Sequence, residues 1–228
     1  MDAPDDARGV PVIAIDGPSA SGKGTVAAKV AAALGYHYLD SGALYRLATL
    51  AALRAGTNLD DEGALAEVAR AMDVRFEEGG VRLEGAEVTE ALRTEEVSAA
   101  TSRVAARPAV RQALLARQRA FRRAPGLVAD GRDMGSNVFP DAALKVFLTA
   151  DVATRAERRY KQLKEKGMYA KMQDVVEELG RRDARDASRP VAPLRHYPDA
   201  FFLDTSTLSV DEAVEQVLGW WRERSSRP

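Results

Sequence analysis

Short apolar segments recur along the chain, and stretches with helical periodicity separate them. The segments that predict strands are residues 12–15, 36–39, 127–130, 144–148 and 200–203. Most of them are nearly continuous apolar runs, without the alternation of a strand that has one face in water, and such runs are typical of strands covered on both faces. Short strands that alternate with helices favour an open parallel α/β sheet.

Glycine and small polar residues mark where the helices begin and end. Val26 and Val30 repeat at helical spacing after the first strand, and Gly35 is expected to end that helix. Ser41 is expected to cap a second helix that continues to about Ala55. The first 55 residues therefore predict strand, glycine-rich turn, helix, strand and helix.

Residues 58–100 differ in character from the rest of the chain. Residues 60–72 have a helical pattern, and apolar positions alternate over 74–83 around a pair of glycines, which indicates a β-hairpin. Between residues 60 and 96 there are 12 acidic and 4 basic side chains. This shift in composition predicts a subdomain inserted into the main fold.

The composition excludes several classes of site and of protein. The chain has no cysteine and two histidines, which excludes disulfides, thiolate metal sites and multi-histidine metal cages. Its 33 Lys and Arg balance 34 Asp and Glu, which argues against a dedicated nucleic-acid-binding protein. No apolar run approaches the roughly 18 residues of a membrane span, and the acidic leader over residues 1–10, expected to be disordered, does not resemble a basic secretory signal. A soluble, cytoplasmic protein without a membrane partner is expected.

The most informative motif follows the first strand. Residues 17–23 fit the pattern G-x-x-x-x-G-K, whose backbone N–H groups form a cradle for phosphate at the start of a helix. Lys23 is expected to reach the β- and γ-phosphates, and Thr25 to offer its hydroxyl to Mg²⁺, because Gly24 intervenes. The predicted ATP-binding residues are Gly17, Pro18, Ser19, Ala20, Ser21, Gly22, Lys23, Gly24 and Thr25.

Other charged residues follow predicted strands, where open parallel sheets bind their ligands. Asp130 is expected to hold Mg²⁺ directly or through water, although aspartate is also common in turns. Asp16, directly before the phosphate loop, is interpreted as mainly structural. Arg46 suits a second anion site, although a solvated arginine on a helix is the more common situation.

A basic segment over residues 155–189 has 11 basic and 7 acidic side chains. Its pattern fits either a solvated helix pair held by ion pairs or a mobile lid that brings arginine to phosphate. The candidate lid arginines are Arg155, Arg158, Arg159, Arg182 and Arg189. Arginine supplies 26 of the 33 basic residues of the chain, which suits bidentate phosphate binding and is also typical of a GC-rich genome.

Four motifs together resemble the bacterial cytidylate kinase family. They are G-P-S-x-S-G-K-G-T at 17–25, D-S-G-x-x-Y-R at 40–46, D-G-R-D-x-G at 130–135 and R-D-x-x-D-x-x-R at 182–189. The first is shared by nucleoside monophosphate kinases in general, whereas the third, together with the hairpin insertion, is specific. The resemblance covers about residues 11–220 and implies a monomer that transfers the γ-phosphoryl group of ATP to CMP or dCMP with the help of Mg²⁺.

The resemblance also implies a fold and its divisions. The expected fold is a P-loop three-layer α/β sandwich with a five-stranded parallel sheet, a monophosphate-binding insertion that carries a small β-hairpin or meander, and a helical lid. Ala20 is expected to occupy a freely variable position of the loop. The single kinase domain would span 11–228, with its core at 11–57, 101–150 and 190–224, the insertion at about 58–100 and the lid at about 155–189.

The same resemblance assigns roles residue by residue. Arg46 and Arg132 would hold the phosphate of the monophosphate, with help from Arg189. A carboxylate can accept from the N4 amino group of cytosine, where uracil presents only an acceptor, and this supports Asp133 as a base-reading residue. The implied catalytic residues are Lys23, Arg132, Arg182 and Arg189. The implied substrate-binding residues are Ser41 and Arg46, then Ser102, Arg111 and Asp133 toward cytosine, Arg182 and Asp186 toward ribose, and Arg132 and Arg189.

Three alternatives remain open. One is a kinase for another small acceptor, such as UMP; a shikimate-type acceptor is disfavoured because the loop has Gly24 where those loops have a hydroxyl residue. Another is a non-catalytic nucleotide-binding switch, which would need the loop but no second anion site. RNA binding through the arginine run over 103–123 is weakly supported, because Phe121 is the only aromatic residue interleaved with the arginines and the acidic insertion beside the run would repel phosphate.

Overall fold

The computed structural model of the protein describes residues 9–77 and 80–226, which fall into two compact units. One unit contains residues 40–77 and 80–120, and the other contains residues 9–39 and 121–226. Most of the predicted leader over 1–10 lies outside the described residues, as do Glu78 and Gly79 of the predicted hairpin turn.

Within the described residues, strands and helices alternate along the chain much as the sequence predicts. The strands are β1 (Val12–Asp16), β2 (His37–Asp40), β3 (Val74–Glu77), β4 (Gly80–Leu83), β5 (Ala86–Glu87), β6 (Leu127–Gly131), β7 (Leu144–Thr149) and β8 (Phe201–Asp204). The α-helices are α1 (Lys23–Leu34), α2 (Ser41–Arg54), α3 (Glu62–Ala71), α4 (Glu95–Val104), α5 (Pro108–Arg119), α6 (Val152–Glu165), α7 (Met172–Ala187) and α8 (Val210–Ser225).

A five-stranded parallel sheet organises the fold. Its strands lie in the order β2-β6-β1-β7-β8, and β1 pairs in parallel with both β6 and β7. Val12 to Ile15 of the central strand are completely buried, which explains why that strand is apolar on both faces. Helices α1 and α8 pack on the sheet through a core that includes Val26 and Val217. The predicted α/β fold class is confirmed.

The strand order positions the residues that carry chemistry. Strand β1 lies between β6 and β7, and Asp16 at its end is in register with Gly131 and Phe147. Because parallel strands end at the same edge of a sheet, the phosphate loop after β1 lies beside the end of β6, where Asp130 is located. The sheet therefore brings together two motifs that are more than a hundred residues apart in sequence.

The expectation that Ser41 caps α2 is wrong, because Asp40 occupies the cap position. The backbone of Asp40 is extended, and its Oδ1 accepts a hydrogen bond of 3.0 Å from the N–H of Ala43. Ser41 is instead the first residue of the helix. Both residue types are good caps, and the one whose carboxylate reaches the third backbone N–H has taken the role. The helix ends at Arg54, as expected to within one residue.

The unit of residues 40–120 contains the predicted hairpin. Strands β3 and β4 pair antiparallel with Val74 opposite Leu83 and Phe76 opposite Val81, and β5 adds a third strand to β4. Helix α3 follows the expected pattern and is capped by the carboxylate of Asp61, which accepts from the N–H of Ala64. The predicted small meander is confirmed.

Helices α6 and α7 form the charged helix pair of the other unit. They pack through a small apolar cluster of Ala156, Leu163, Val175 and Leu179, so that most of their remaining surface is polar. In the part of the chain that the structure describes, no helix is both long enough and apolar enough to cross a membrane.

Candidate active site

The phosphate loop lies between β1 and α1, where its glycines meet two different requirements. A Cβ atom at Gly17 would lie 1.9 Å from the carbonyl oxygen of Leu148, so no larger residue fits there. Gly22 has a φ of 91°, a backbone conformation that favours glycine, and no side chain caps the helix that it precedes. No capping side chain therefore competes with an anionic ligand for the start of α1.

The expectation that Ala20 occupies a freely variable position stays a prediction, and the structure shows a backbone constraint at that residue. Its φ of 59° lies in the left-handed region, which is costly for any residue that has a Cβ atom. The loop therefore places at Ala20 a backbone demand that glycine would meet with less strain.

Lys23 lies inside the loop, as the motif predicts. Its Nζ donates a hydrogen bond of 3.4 Å to the carbonyl oxygen of Pro18 and lies 3.9 Å from Oδ2 of Asp130. Ser21 also donates to the carbonyl oxygen of Pro18, at 3.0 Å. Thr25 is exposed on the first turn of α1. The loop is thus shaped by its own hydrogen bonds and carries its lysine toward the end of β6.

Asp130 is buried at the end of β6, and Tyr38 contacts it. The Tyr38 hydroxyl donates a hydrogen bond of 2.7 Å to Oδ1 of Asp130. Lys23 lies on the side of the other carboxylate oxygen. Sequence reasoning missed Tyr38, because a tyrosine in a strand is ordinarily explained by β-propensity alone. Its position in the predicted strand that leads to Asp40 and Ser41, residues expected to lie at the ligand-binding edge, was the available signal.

Asp16 joins the phosphate loop to the turn that follows β6. Its Oδ1 accepts from the N–H of Met134 and its Oδ2 from the N–H of Gly135, both at 2.8 Å. Burial, with a smaller contribution from the negative charge of Asp133, raises the pKa of Asp16 to about 7, although both backbone N–H groups act in the opposite direction. Asp16 therefore has a specific structural role, because its two hydrogen bonds fix the turn that carries the D-G-R-D motif.

Asp133 is buried in that turn, with 2% of its surface exposed. Its Oδ2 accepts a hydrogen bond of 3.0 Å from the side-chain amide of Asn137, and its backbone carbonyl accepts from the N–H of the same residue. Asn137 was also missed by sequence reasoning, since nothing in its local pattern distinguishes it from an ordinary turn residue.

An arginine–carboxylate network borders the phosphate loop. Arg132 donates from Nε to Asp186 at 2.7 Å and from a terminal nitrogen to the hydroxyl of Ser19 at 2.7 Å. Arg189 pairs with the other oxygen of Asp186, which is 1% exposed. Burial alone would raise the pKa of Asp186, but the charges of Arg132 and Arg189, with a smaller contribution from Arg182, hold it below its usual value.

Two candidate lid arginines bind the loop's backbone. Arg155 donates to the carbonyl oxygen of Ser19 at 3.3 Å and pairs with Asp183 at 2.7 Å. Arg158 donates to the carbonyl oxygen of Ser21 at 3.0 Å, and also contacts Thr205. In this structure both side chains therefore hold the backbone of the loop through its carbonyl oxygens. Arg159 on α6 and Arg182 on α7 are half-buried.

The unit of residues 40–120 holds the remaining predicted substrate residues. Arg46 pairs with Asp40 at 2.6 Å, so that the residue that caps α2 also orients the arginine one turn and a half later. Ser41 is buried at the start of the same helix.

Ser102 and Arg111 are both buried within that unit. Arg111 donates to the carbonyl oxygen of Ala105 at 3.0 Å, and its guanidinium carbon lies 5.5 Å from the centre of the Tyr45 ring. The Ser102 hydroxyl has no hydrogen-bond partner among residues 9–77 and 80–226. A buried hydroxyl without a protein partner suits a position that a ligand or water satisfies.

The predicted site residues therefore form one group in each unit. The group of residues 9–39 and 121–226 joins the phosphate loop, Asp130, Arg132, Asp133, Asp186 and Arg189 through the contacts given above. The group of residues 40–120 comprises Ser41, Arg46, Ser102 and Arg111. Among the described residues, no three His, Asp or Glu side chains are arranged to hold a metal by themselves.

Comparison with known proteins adds independent information. Residues 13–223 match the sequence profile of the family described as "Cytidylate kinase". Relatives of that name occur in Chromobacterium violaceum, 59% identical over 217 residues that cover 95% of this chain and 98% of the relative, and in Paraburkholderia phymatum, 59% identical over 212 residues that cover 93% of each. A third, in Bordetella bronchiseptica, is 58% identical over 216 residues that cover 95% of this chain and 97% of the relative.

Proposed function

The chain belongs to the cytidylate kinase family, and we propose that it transfers the γ-phosphoryl group of ATP to CMP or dCMP, which yields ADP and CDP or dCDP. One observation of this structure carries the proposal: Arg132 contacts both Ser19 of the phosphate loop and Asp186. A protein that only binds a nucleotide needs the loop alone. Positive side chains at the border of the loop suit a second anion, which a phosphoryl acceptor provides.

The turn after β6 supports the choice of base. Asp133 accepts a hydrogen bond from Asn137 through Oδ2, and a buried carboxylate at this position suits an amino group of the ligand as a further donor. Cytosine has such a group at N4, whereas uracil has an acceptor there. UMP would leave a buried carboxylate facing an acceptor, which costs about 1–3 kcal/mol, or a factor of roughly ten to a hundred.

The mechanism depends on positioned charge more than on a general base, because the acceptor is already an anionic phosphate oxygen. Lys23 and the N–H groups of the loop would hold the transferring phosphate, and Arg132, Arg182 and Arg189 would neutralise charge on the acceptor side. Asp130 and Thr25 would hold Mg²⁺, which would supply positive charge to the phosphates when bound.

The residues at the end of β6 fit Mg²⁺. This ion is usually held by one or two carboxylates, by water and by the phosphates of the substrate. Asp130 offers a buried carboxylate beside Lys23, and Thr25 offers an exposed hydroxyl on the first turn of α1. We assign these two residues to the ion.

We also propose how the chain is organised around the two substrates. Residues 58–100 would form the monophosphate-binding insertion and residues 155–189 the lid, in a cytoplasmic protein that acts as a monomer. The apolar cluster between α6 and α7 supports the interpretation of the two helices as one structural segment.

The test is a coupled assay of ADP release with ATP and Mg²⁺, in which CMP, dCMP, UMP or AMP is added in turn or the acceptor is omitted. A kinase of the proposed class gives ADP only with an acceptor, and gives it fastest with CMP or dCMP. Slow release of ADP that does not depend on any acceptor would favour the nucleotide-binding switch instead. A preference for UMP would contradict the assignment of the base.

A further inference from the structure

We propose that Tyr38 is a positioning residue for Asp130 and thereby sets how tightly the enzyme holds the divalent cation of its nucleotide; this rests on the proposed function. Tyr38 is 36% exposed, yet its hydroxyl donates a hydrogen bond of 2.7 Å to Asp130, a residue that is only 4% exposed. The short distance is that of a strong hydrogen bond to a carboxylate.

Three elements converge on this contact. Tyr38 belongs to β2, Asp130 to β6 and Gly24 to the first turn of α1. A Cβ atom at Gly24 would lie 3.5 Å from the Tyr38 hydroxyl and 3.9 Å from each carboxylate oxygen of Asp130. The position that carries a hydroxyl in other phosphate loops is thus a glycine here, and the phenol of a neighbouring strand lies beside that position.

The hydrogen bond acts on a torsion that is otherwise poorly defined. Rotation of an aspartate carboxylate about χ2 is broad, because the bond joins a tetrahedral carbon to a planar group. In this structure Oδ1 of Asp130 faces the phenol and Oδ2 faces Lys23 at 3.9 Å. Contacts on both oxygens fix the carboxylate plane, and Mg²⁺ requires nearly ideal geometry from its ligands.

The Tyr38 hydroxyl should contribute more to the affinity for the metal ion than an ordinary surface hydroxyl would. Partners that orient a metal-binding carboxylate typically change metal affinity by about 10–100-fold. We expect the lower end of this range, about tenfold, because Lys23 still contacts the second oxygen when the phenol is removed. The ring itself is partly exposed, so removal of its hydroxyl leaves the packing of β2 intact.

The experiment compares Tyr38→Phe with Tyr36→Phe as the control. Tyr36 lies two residues earlier, and its partly buried ring packs against Trp221 beside the core. Mn²⁺ serves as the probe, and its binding to each protein with a non-hydrolysable ATP analogue is followed by electron paramagnetic resonance. The expected result is a dissociation constant for Mn²⁺ that rises about tenfold in Tyr38→Phe and by less than twofold in Tyr36→Phe. Binding of the analogue without metal should change by less than twofold in both.

Two results would overturn the proposal. One is a Tyr38→Phe variant that binds Mn²⁺ as tightly as the wild type. The other is an equal loss of analogue binding with and without metal, which would mean that Tyr38 contacts the nucleotide itself. As a second measurement, Tyr38→Phe in an Asp130→Asn background should cause no further loss of Mn²⁺ affinity; a further tenfold loss would place the effect elsewhere. Since none of these readouts needs CMP, failure of the proposed acceptor specificity would be seen separately in the ADP assay.

Discussion

Asp186→Asn tests whether the buried arginine–carboxylate network stabilises the folded chain. Asp186 is 1% exposed and accepts from both Arg132 and Arg189. A hydrogen bond to a charged group contributes about 1.5–3 kcal/mol, and loss of one partner of a buried ion pair costs about 3–5 kcal/mol. Asparagine keeps one acceptor oxygen but leaves a guanidinium against its amide N–H groups. We therefore expect the free energy of unfolding to fall by about 3 kcal/mol at pH 7.

The pH dependence gives this prediction a second readout. The pKa of Asp186 is lower in the folded protein than its ordinary value of 3.8, so the unfolded chain binds the proton more readily. Its stabilising effect is therefore present above about pH 4 and is lost as the pH falls through the lower folded pKa. Urea denaturation followed by circular dichroism at pH 7 and pH 3 measures both quantities, with Asp174→Asn, an exposed residue of the same helix, as the control. A loss below about 1 kcal/mol at pH 7, or one that is as large at pH 3, would refute the reasoning.

Three further predictions concern the loop and the turn after β6. Asp133→Asn should reduce the preference for CMP over UMP by roughly tenfold or more, measured as the ratio of kcat/KM values; an unchanged ratio would exclude this carboxylate as the base-reading group. Ala20→Gly should raise the free energy of unfolding by about 0.5–1 kcal/mol in urea denaturation, because the φ of 59° no longer opposes a Cβ atom, and a loss of stability would contradict this. The Asp16 carboxyl should titrate near its pKa of about 7 in ¹³C NMR spectra, with Asp16→Asn to assign the signal. Because that pKa is raised above the unfolded value of 3.8, the contribution of Asp16 to stability should decrease as the pH rises from about 4 to 7; titration below about pH 5 would mean that the two backbone N–H bonds outweigh burial.

The sheet and the phosphate loop were predictable because their information is local. A strand that is buried on both faces is apolar along its length, as Val12 to Ile15 of β1 are. At Gly17 a Cβ atom would lie 1.9 Å from a carbonyl oxygen, so the loop requires glycine there. The N-cap of α2 was assigned to Ser41, one residue too late, because local sequence preferences do not distinguish the two candidates. Asp40 and Ser41 have similar capping preferences, and only the backbone course at the end of β2 decides which of them accepts the N–H of Ala43.

The partners of the site residues were less predictable than their positions. Arg155 and Arg158 lie in a basic segment whose composition and spacing fit a lid. Their guanidinium groups, however, donate to the backbone carbonyl oxygens of Ser19 and Ser21. That contact depends on how α6 packs against the loop, which no local pattern encodes. Tyr38 was missed for the same reason, since its hydroxyl contacts Asp130, which lies 92 residues away in the chain.

Asp186 explains how Arg132 and Arg189 can lie close together beside the phosphate loop when no ligand is bound. Two neighbouring guanidinium groups without an anion would repel each other, and the repulsion is stronger where they are shielded from water. With one carboxylate between Arg132 and Arg189, the three groups keep a single net positive charge, and both side chains are oriented by hydrogen bonds. Under the proposed function, an arriving phosphate would therefore meet a net positive charge that is already in position, and less ordering would have to accompany its binding. Arg182 and Asp186 both lie on α7, and Arg189 follows two residues after the end of that helix, so one segment supplies both positive charge and its counterion.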